Sequence, residues 1–350
     1  MSINQQKLVL DLKKEKKGAY PHKVSKIRLE ETHISWILLT GLYAYKIKKE
    51  LKFGRVLDFS TLKLRKKFCQ KEVILNKVLC GDMYKGIVKI VKNENGNDDD
   101  NIRIINLEHK GRALEYAVKM LEIPQKFRMD NLLAAHKVSI NTIESLTKTL
   151  VNFHLHTPTN DKIRKFGYPR FLKKKIHENF ETLAKLKKTL DPKFENALIL
   201  FIKKNKKLFY QRIREDKIRD IHGDLYLKNI FILENNNNNN NRFYLYDRIE
   251  FNDYLRYADI AEDIAHLSMD LDYHKRSDLR KHFISQYIKK SNDINLENLV
   301  YFLMCYKACI RAKVSLFHAK NETIGKKRID HIKESKDLLN LAESYLELLF

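Results

Sequence analysis

The chain has 350 residues, with 68 Lys and Arg against 44 Asp and Glu and a formal net charge of +24. That length supports one large core or two smaller ones, and two lobes is the natural division. No run of 18 apolar residues occurs and Met1-Ser-Ile-Asn-Gln-Gln6 is polar, so no membrane span, membrane partner or secretory signal is expected and the protein reads as cytoplasmic. Cys69, Cys80, Cys305 and Cys309 form no C-x-x-C pair and read as core thiols in a reduced compartment rather than as a zinc site.

Two readings of the charge compete: a basic face for nucleic acid or another polyanion, or a composition that simply favours Lys, Asn and Ile. The lysines are spread along the whole chain, and seven Asn run consecutively over Asn235–Asn241. The compositional reading is therefore preferred, and nucleic acid is an allowed but not a favoured partner. The sequence assigns no oligomeric state.

In chain order, Glu31–Thr40 and Tyr43–Lys48 read as strands joined at Gly41-Leu42, a hairpin pattern. Thr61–Leu79 reads as a helix with Ser60 as N-cap. Gly86–Val91 and Ile102–Leu107 read as paired strands around the polar loop Asn93–Asn101, and Tyr116–Ile123 as a further strand ending at Pro124. An antiparallel sheet with one inserted helix is an α+β lobe, here expected over residues 1–124.

Residues 125–350 are expected to be mainly helical. Asn141-Thr-Ile-Glu144 reads as a capping box before Ile143, Leu146, Leu150 and Phe153. Helical patterns recur at Phe171–Leu190, Phe194–Glu215, Ala258–Leu271, Asp278–Lys290, Leu296–Phe317 and Ile329–Leu349. Ile230–Leu233 and Phe243–Tyr246 are read as the only strands of this half, a hairpin with the Asn tract as its solvated loop.

The chemistry is concentrated in His222-Gly-Asp224-Leu-Tyr-Leu-Lys-Asn229, where an Asp and an Asn stand five positions apart ahead of an apolar run. Protein kinases place the same types in their catalytic loop, the Asp accepting the substrate hydroxyl proton and the Asn binding Mg²⁺. Asp224 is thus the expected base, Asn229 a metal ligand, and His222 a support beneath the loop. Asp247, beyond the hairpin, is the expected second ligand; Mg²⁺ favours a few protein oxygens completed by phosphates and waters.

Two upstream segments complete the set. Tyr43-Ala-Tyr-Lys46 matches the strand pattern of the kinase nucleotide lysine. Alternation puts Ala44, Lys46 and Lys48 on one face, so Lys46 is the first choice to reach phosphate oxygens, with Lys48 on the same face and Lys49 adjacent. In Phe68-Cys-Gln-Lys-Glu72-Val-Ile-Leu75-Asn-Lys-Val-Leu79, residues 68, 72, 75 and 79 form a stripe whose only charge is Glu72. An acid there must find a cation or stay protonated, and a lysine on the adjoining strand answers that need. No G-x-G-x-x-G or G-x-x-x-x-G-K-[ST] motif occurs, and Glu31-Thr-His-Ile-Ser-Trp36, where a phosphate-covering loop is expected, has no Gly.

With these residues in view, the chain resembles aminoglycoside phosphotransferase-like kinases, the small-molecule branch of the protein-kinase-like fold, and within them a largely uncharacterised subgroup. The resemblance runs from about Tyr20 to about Phe317 and includes Leu57-Asp-Phe-Ser60, Tyr116-Ala-Val-Lys-Met120, Phe153-His-Leu-His156, Asp247-Arg-Ile-Glu-Phe-Asn-Asp253, Leu255-Arg-Tyr-Ala-Asp259 and Asp263 through Met269-Asp-Leu271. It implies a bilobal α+β kinase with ATP between the lobes, Lys46 and Glu72 at the nucleotide, Asp224 as base, Asn229 and Asp247 on Mg²⁺, and Asp263 supporting the loop. A small-molecule hydroxyl is the implied acceptor. Tyr226 stands where many relatives have His, and Glu250-Phe-Asn-Asp253 with Arg256 departs from antibiotic-modifying members. Tyr306-Lys-Ala-Cys-Ile-Arg311-Ala-Lys313 resembles a feature of the subgroup; Arg311 and Lys313 either meet an anionic substrate or form an ordinary basic helix face. Some similar proteins carry a P-loop ATPase domain after the kinase part, which this chain is expected to lack.

Overall fold

The structure, a computed structural model, describes residues 4–14, 18–24, 26–54, 56–92, 102–187, 191–235, 240–322 and 325–349. The chain divides into two compact units, Met1–Phe127 with Tyr244–Asn252, and Arg128–Phe243 with Asp253–Phe350.

The first unit contains α1 (Gln5–Lys13), β1 (Arg28–Glu31), β2 (Ser35–Leu39), β3 (Tyr43–Lys48), β4 (Lys52–Phe53), β5 (Leu57–Asp58), α2 (Leu62–Cys80), β6 (Tyr84–Lys92), β7 (Ile102–Asn106) and β8 (Ala113–Leu121). Among the described residues, β1-β2-β3-β8-β6-β7 form one six-stranded antiparallel sheet. Strand alternation divides its faces. Tyr45 and Ile47 of β3 pack with Leu8, Val9 and Leu12 of α1, whereas Lys46 and Lys48 point to the opposite side.

Several local expectations shift. The segment read as one strand, Glu31–Thr40, is interrupted by a turn in which Thr32 N–H donates to Ser35 O (2.9 Å) and Ser35 N–H to Thr32 Oγ1 (3.0 Å). Thr61, not Ser60, caps α2: its hydroxyl accepts from Leu64 N–H, while the Ser60 hydroxyl donates to Asp58 at 2.6 Å. The buried stripe of α2 is Arg65, Cys69, Glu72, Val73, Asn76 and Cys80, so the expected phase is off by about one residue and Glu72 is not its only charge. Asn93–Asn101 lies outside the described residues.

The second unit contains α3 (Met129–Ala134), α4 (Ile140–His156), α5 (Asp161–Arg164), α6 (Pro169–Leu186), α7 (Lys193–Lys204), α8 (Lys206–Arg214), β9 (Ile218–Asp220) and β10 (Ile230–Asn235). It continues through β11 (Asn240–Leu245, whose last two residues count with the first unit), α9 (Asp253–Arg256), β12 (Tyr257–Asp259), α10 (Ala261–Tyr273), α11 (Ser277–Ser291), α12 (Glu297–Asn321) and α13 (Lys326–Leu346). The capping box of α4 is Ser139 with Thr142 rather than Asn141 with Glu144. The helix expected over Phe194–Glu215 breaks at Asn205, whose backbone and side-chain amides both donate to Phe201 O. Sequence reading missed α1 and the antiparallel pair β9–β12; three-residue strands leave too short an alternation to register.

β9 leads directly into the His222 loop. Gly167 backs it at close quarters: a Cβ there would stand 2.6 Å from Ile218 Cδ1 and 2.9 Å from Ile213 Cγ1. Beside it the fully buried Arg212 is gripped by Asp259 (2.5 and 2.7 Å) and Asp293 (2.8 and 3.0 Å). Arg212→Ala strands two carboxylates, and chemical denaturation is expected to show a loss of about 3–5 kcal/mol.

Candidate functional site

In the first unit, five charges form one chain of contacts. Lys46 Nζ lies 3.0 Å from Glu72 Oε1 and 2.5 Å from Asp247 Oδ1. Lys48 Nζ lies 2.6 Å from Glu72 Oε2 and 2.5 Å from Glu250 Oε1. Lys46, Lys48, Glu72 and Glu250 are all buried, whereas the Asp247 side chain is 41% exposed. Burial opposes the Lys46 ammonium, but Asp247, Glu72 and Glu250 together hold its pKa well above the usual lysine value. The Glu72 carboxyl is held down by the two lysines against its burial. Burial prevails at Glu250, whose pKa is raised.

The segment carrying Asp247 is fixed by its backbone. Asp247 has φ 63°, a left-handed conformation uncommon outside Gly, and its N–H donates to Tyr84 Oη at 3.4 Å. Arg248 N–H donates to Asn76 Oδ1 (2.8 Å), and Asn76 Nδ2 donates back to Arg248 O (3.5 Å).

In the second unit, Asp263 organises the His222 loop. Its two oxygens accept from the N–H groups of His222 (2.8 Å) and Gly223 (2.9 Å), and His154 Nε2 stands 3.2 Å from Oδ2. Gly223 adopts φ 87°, open to Gly without a Cβ penalty. Burial opposes the charge on Asp263, but His154, His222 and the Gly223 amide keep its carboxyl below the ordinary range. Asp224, with a 39% exposed side chain, receives hydrogen bonds from Asn229 Nδ2 on its carbonyl (2.9 Å) and carboxylate (3.2 Å). With the amide nitrogen used in this way, the oxygen of Asn229 is the atom left to serve as a ligand.

The middle of the loop has its own support. Asp270 Oδ2 accepts from Leu227 N–H at 2.9 Å, and Arg311 lies 3.4 Å from both Asp270 and Glu334, its guanidinium 4.3 Å from the Tyr226 ring centre. Tyr226 stacks on His266 at 5.5 Å. Both His266 nitrogens are buried without a hydrogen-bond partner, and Nδ1 lies 3.9 Å from Asp224 Oδ1. Burial, then Lys307, Arg311 and His222, push its pKa far down, so the imidazole is neutral.

The structure thus gathers Lys46, Glu72 and Asp247 in one unit, and His222, Asp224, Asn229 and Asp263 in the other. Sequence reading gave no role to Asn76, Tyr84, His154, His266 or Asp270. His154, His266 and Asp270 sit inside segments carrying the resemblance, whereas Asn76 and Tyr84 have no motif to mark them. Among the described residues, no group of three or more His, Cys, Asp or Glu is placed to hold a metal ion, and no helix is long and apolar enough to cross a membrane. Cys69, Cys80, Cys305 and Cys309 are buried free thiols.

Lys313, half-buried on α12, has its ammonium pushed down to about 8 by burial, with Glu178 opposing. The unfolded chain titrates this group at the ordinary 10.5. Between those values the unfolded state binds more protons, so stability rises with pH across the window. Denaturant midpoints either side of it are expected to show that rise in the wild type and to lack it in Lys313→Met.

No family model matches the chain. Uncharacterized proteins of Mycobacterium tuberculosis and Mycobacterium bovis are each 29% identical to it over 296 residues, 82% of this chain and 54% of theirs. The chain spans about half the length of those relatives. Among solved structures, an aminoglycoside 2'-phosphotransferase-IIIa mutant in complex with GDP is similar with a TM-score of 0.51 at 13% identity, over 97% of this chain and 98% of that one. Choline kinase from Cryptosporidium parvum Iowa II gives a TM-score of 0.50 at 11% identity, over 98% and 95%. The α+β fold expected from the sequence, an antiparallel sheet with helices followed by a mainly helical part, is the fold observed and the one these structures share.

Proposed function

Proceeding from the protein-kinase-like fold that the chain shares with an aminoglycoside phosphotransferase and a choline kinase, we propose that the protein is an ATP- and Mg²⁺-dependent phosphotransferase acting on the hydroxyl of a small molecule. One observation carries the proposal: a buried ammonium, Lys46, bonded at once to Glu72 and Asp247, 26 and 201 positions away in sequence. A fold that needed only stability gains little from such a group, because desolvation offsets most of a buried ion pair. A phosphate-binding lysine has to be held charged and aimed.

The donor chemistry fits magnesium. Asp247 in the first unit and Asn229 in the second each offer a hard oxygen, and Asp247 is partly exposed, which suits an ion that keeps waters and takes phosphate oxygens. When bound, a metal would supply charge neutralisation for the phosphates. Lys46 is proposed to hold the nucleotide phosphates, with Glu72 fixing its ammonium. Asp224 orients the acceptor hydroxyl and takes its proton as the oxygen bonds to the γ-phosphorus and the bond to the β-phosphate oxygen breaks, ADP leaving with that electron pair. Asp263 and His222 keep the Asp224 loop in shape, and Asn229 fixes the Asp224 carboxylate. The work is positioning and electrostatics.

Thermal unfolding with saturating Mg²⁺-ATP is expected to stabilise the wild type by about 3 kcal/mol at a hundredfold excess over Kd, and Asp247→Ala is expected to lose the metal-dependent part. Equal shifts would remove Asp247 from the metal. Incubation with ATP and metabolite pools is expected to produce a phosphate mass gain that falls by about 10²–10⁴ in Asp224→Asn. The +24 charge favours one other reading, a kinase-shaped protein that binds RNA or another polyanion. RNA binding that weakens steeply with salt, with no response to Mg²⁺-ATP, would select it.

A further inference from the structure

Resting on the kinase reading, we propose that Lys48 and Glu250 are positioning residues that lock Glu72 and the Asp247 segment together, so that Lys46 is aimed before any nucleotide arrives. A single lysine and a single glutamate suffice to make the pair that aims a phosphate-binding ammonium. Here the strand repeats the lysine two residues on, along the same face, and the glutamate is shared. Glu72 gives Oε1 to Lys46 and Oε2 to Lys48, so its carboxylate cannot rotate without breaking one contact. Lys48 then passes the constraint to Glu250.

Glu250 stands three positions beyond Asp247 in a segment lacking helix or strand bonding of its own. The segment is also held by Tyr84 and Asn76 on the backbone, by the buried Arg248 guanidinium donating to Leu75 O at 3.4 Å, by Phe251 edge-on to Phe59 at 6.4 Å, and by Asn252 Nδ2 donating to Val56 O at 3.0 Å. Glu250 is an ionic anchor of the segment, through Lys48, and lies outside the proposed metal ligands. It is 3% exposed and its partner Lys48 0% exposed, too deep for either to touch a ligand directly, which makes theirs a role through Asp247 and Glu72. The left-handed φ of Asp247 adds a need for restraint, since such a conformation persists where its surroundings over-determine it.

The test is Glu250→Gln in the full chain, read in two ways. Hydrogen exchange without nucleotide is expected to speed up about tenfold over residues 247–252 while the sheet stays protected. Calorimetry with ADP is expected to show metal-free affinity within about twofold of wild type, and a loss of about tenfold or more in the gain that Mg²⁺ confers, as for residues that orient metal ligands. Unchanged exchange in the segment overturns the proposal, as does a parallel loss of ADP affinity with and without metal, the mark of a merely structural pair. A wild type whose ADP binding ignores Mg²⁺ refutes the kinase reading instead, and exchange alone then decides whether Glu250 anchors the segment. Should Glu250→Gln fail to fold, Lys48→Met combined with Glu250→Leu removes both charges at similar volume, and the same two measurements apply.

Discussion

The candidate site of the first unit depends on one carboxylate having two oxygens. Glu72 sits in the buried stripe of α2, and each oxygen faces a different lysine of β3. Because β3 is a strand, the two ammonium groups emerge side by side; because α2 is a helix, its register sets which carboxylate meets them. Sliding either element by one residue would bury a cation against carbon. The register of β3 in the sheet is correspondingly pinned on both edges, by β2 and β8, and on its other face by Tyr45 and Ile47 in the α1 core.

The second unit solves a related problem with fewer charges. A loop that presents a half-buried Asp224 has to stay still without a strand to hold it. Asp263, on the first turn of α10, does this by accepting two successive backbone amides and an imidazole. Asp270, two turns along the same helix, takes the amide of Leu227. One buried helix thereby grips the loop on either side of Tyr226, and Arg311 closes the arrangement by lying against both Asp270 and that ring.

Much of this was legible in the sequence because it rests on local spacing. The loop His222–Asn229, the Lys46 strand and the helix bearing Glu72 each announced themselves within a few residues. The helix phase was misjudged by about one residue: Phe68, Leu75 and Leu79 are apolar yet only half-buried, while Arg65 and Asn76 are polar and buried. Their burial is compensated by partners distant in sequence, Glu115 for Arg65 and the Arg248 backbone for Asn76, which no window of neighbouring residues reveals. Glu250 was visible as an oddity, but its meaning came only from Lys48. His266 lies within a segment carrying the resemblance, but nothing local gives it a role, since an imidazole inside an apolar helix is ordinary until its orphaned nitrogens are seen beside Asp224.

Gly167 carries a consequence for inheritance rather than for chemistry. The bare Cα lets Ile218 and Ile213 close over it, and Ile218 begins the strand that delivers the chain to His222. Adding a single methyl there would leave every polar group of the loop in place while pushing on its foundation. Such a position is where heat-sensitive alleles arise: chains that work when cool and fail on modest warming, from a lesion that touches none of the reacting atoms.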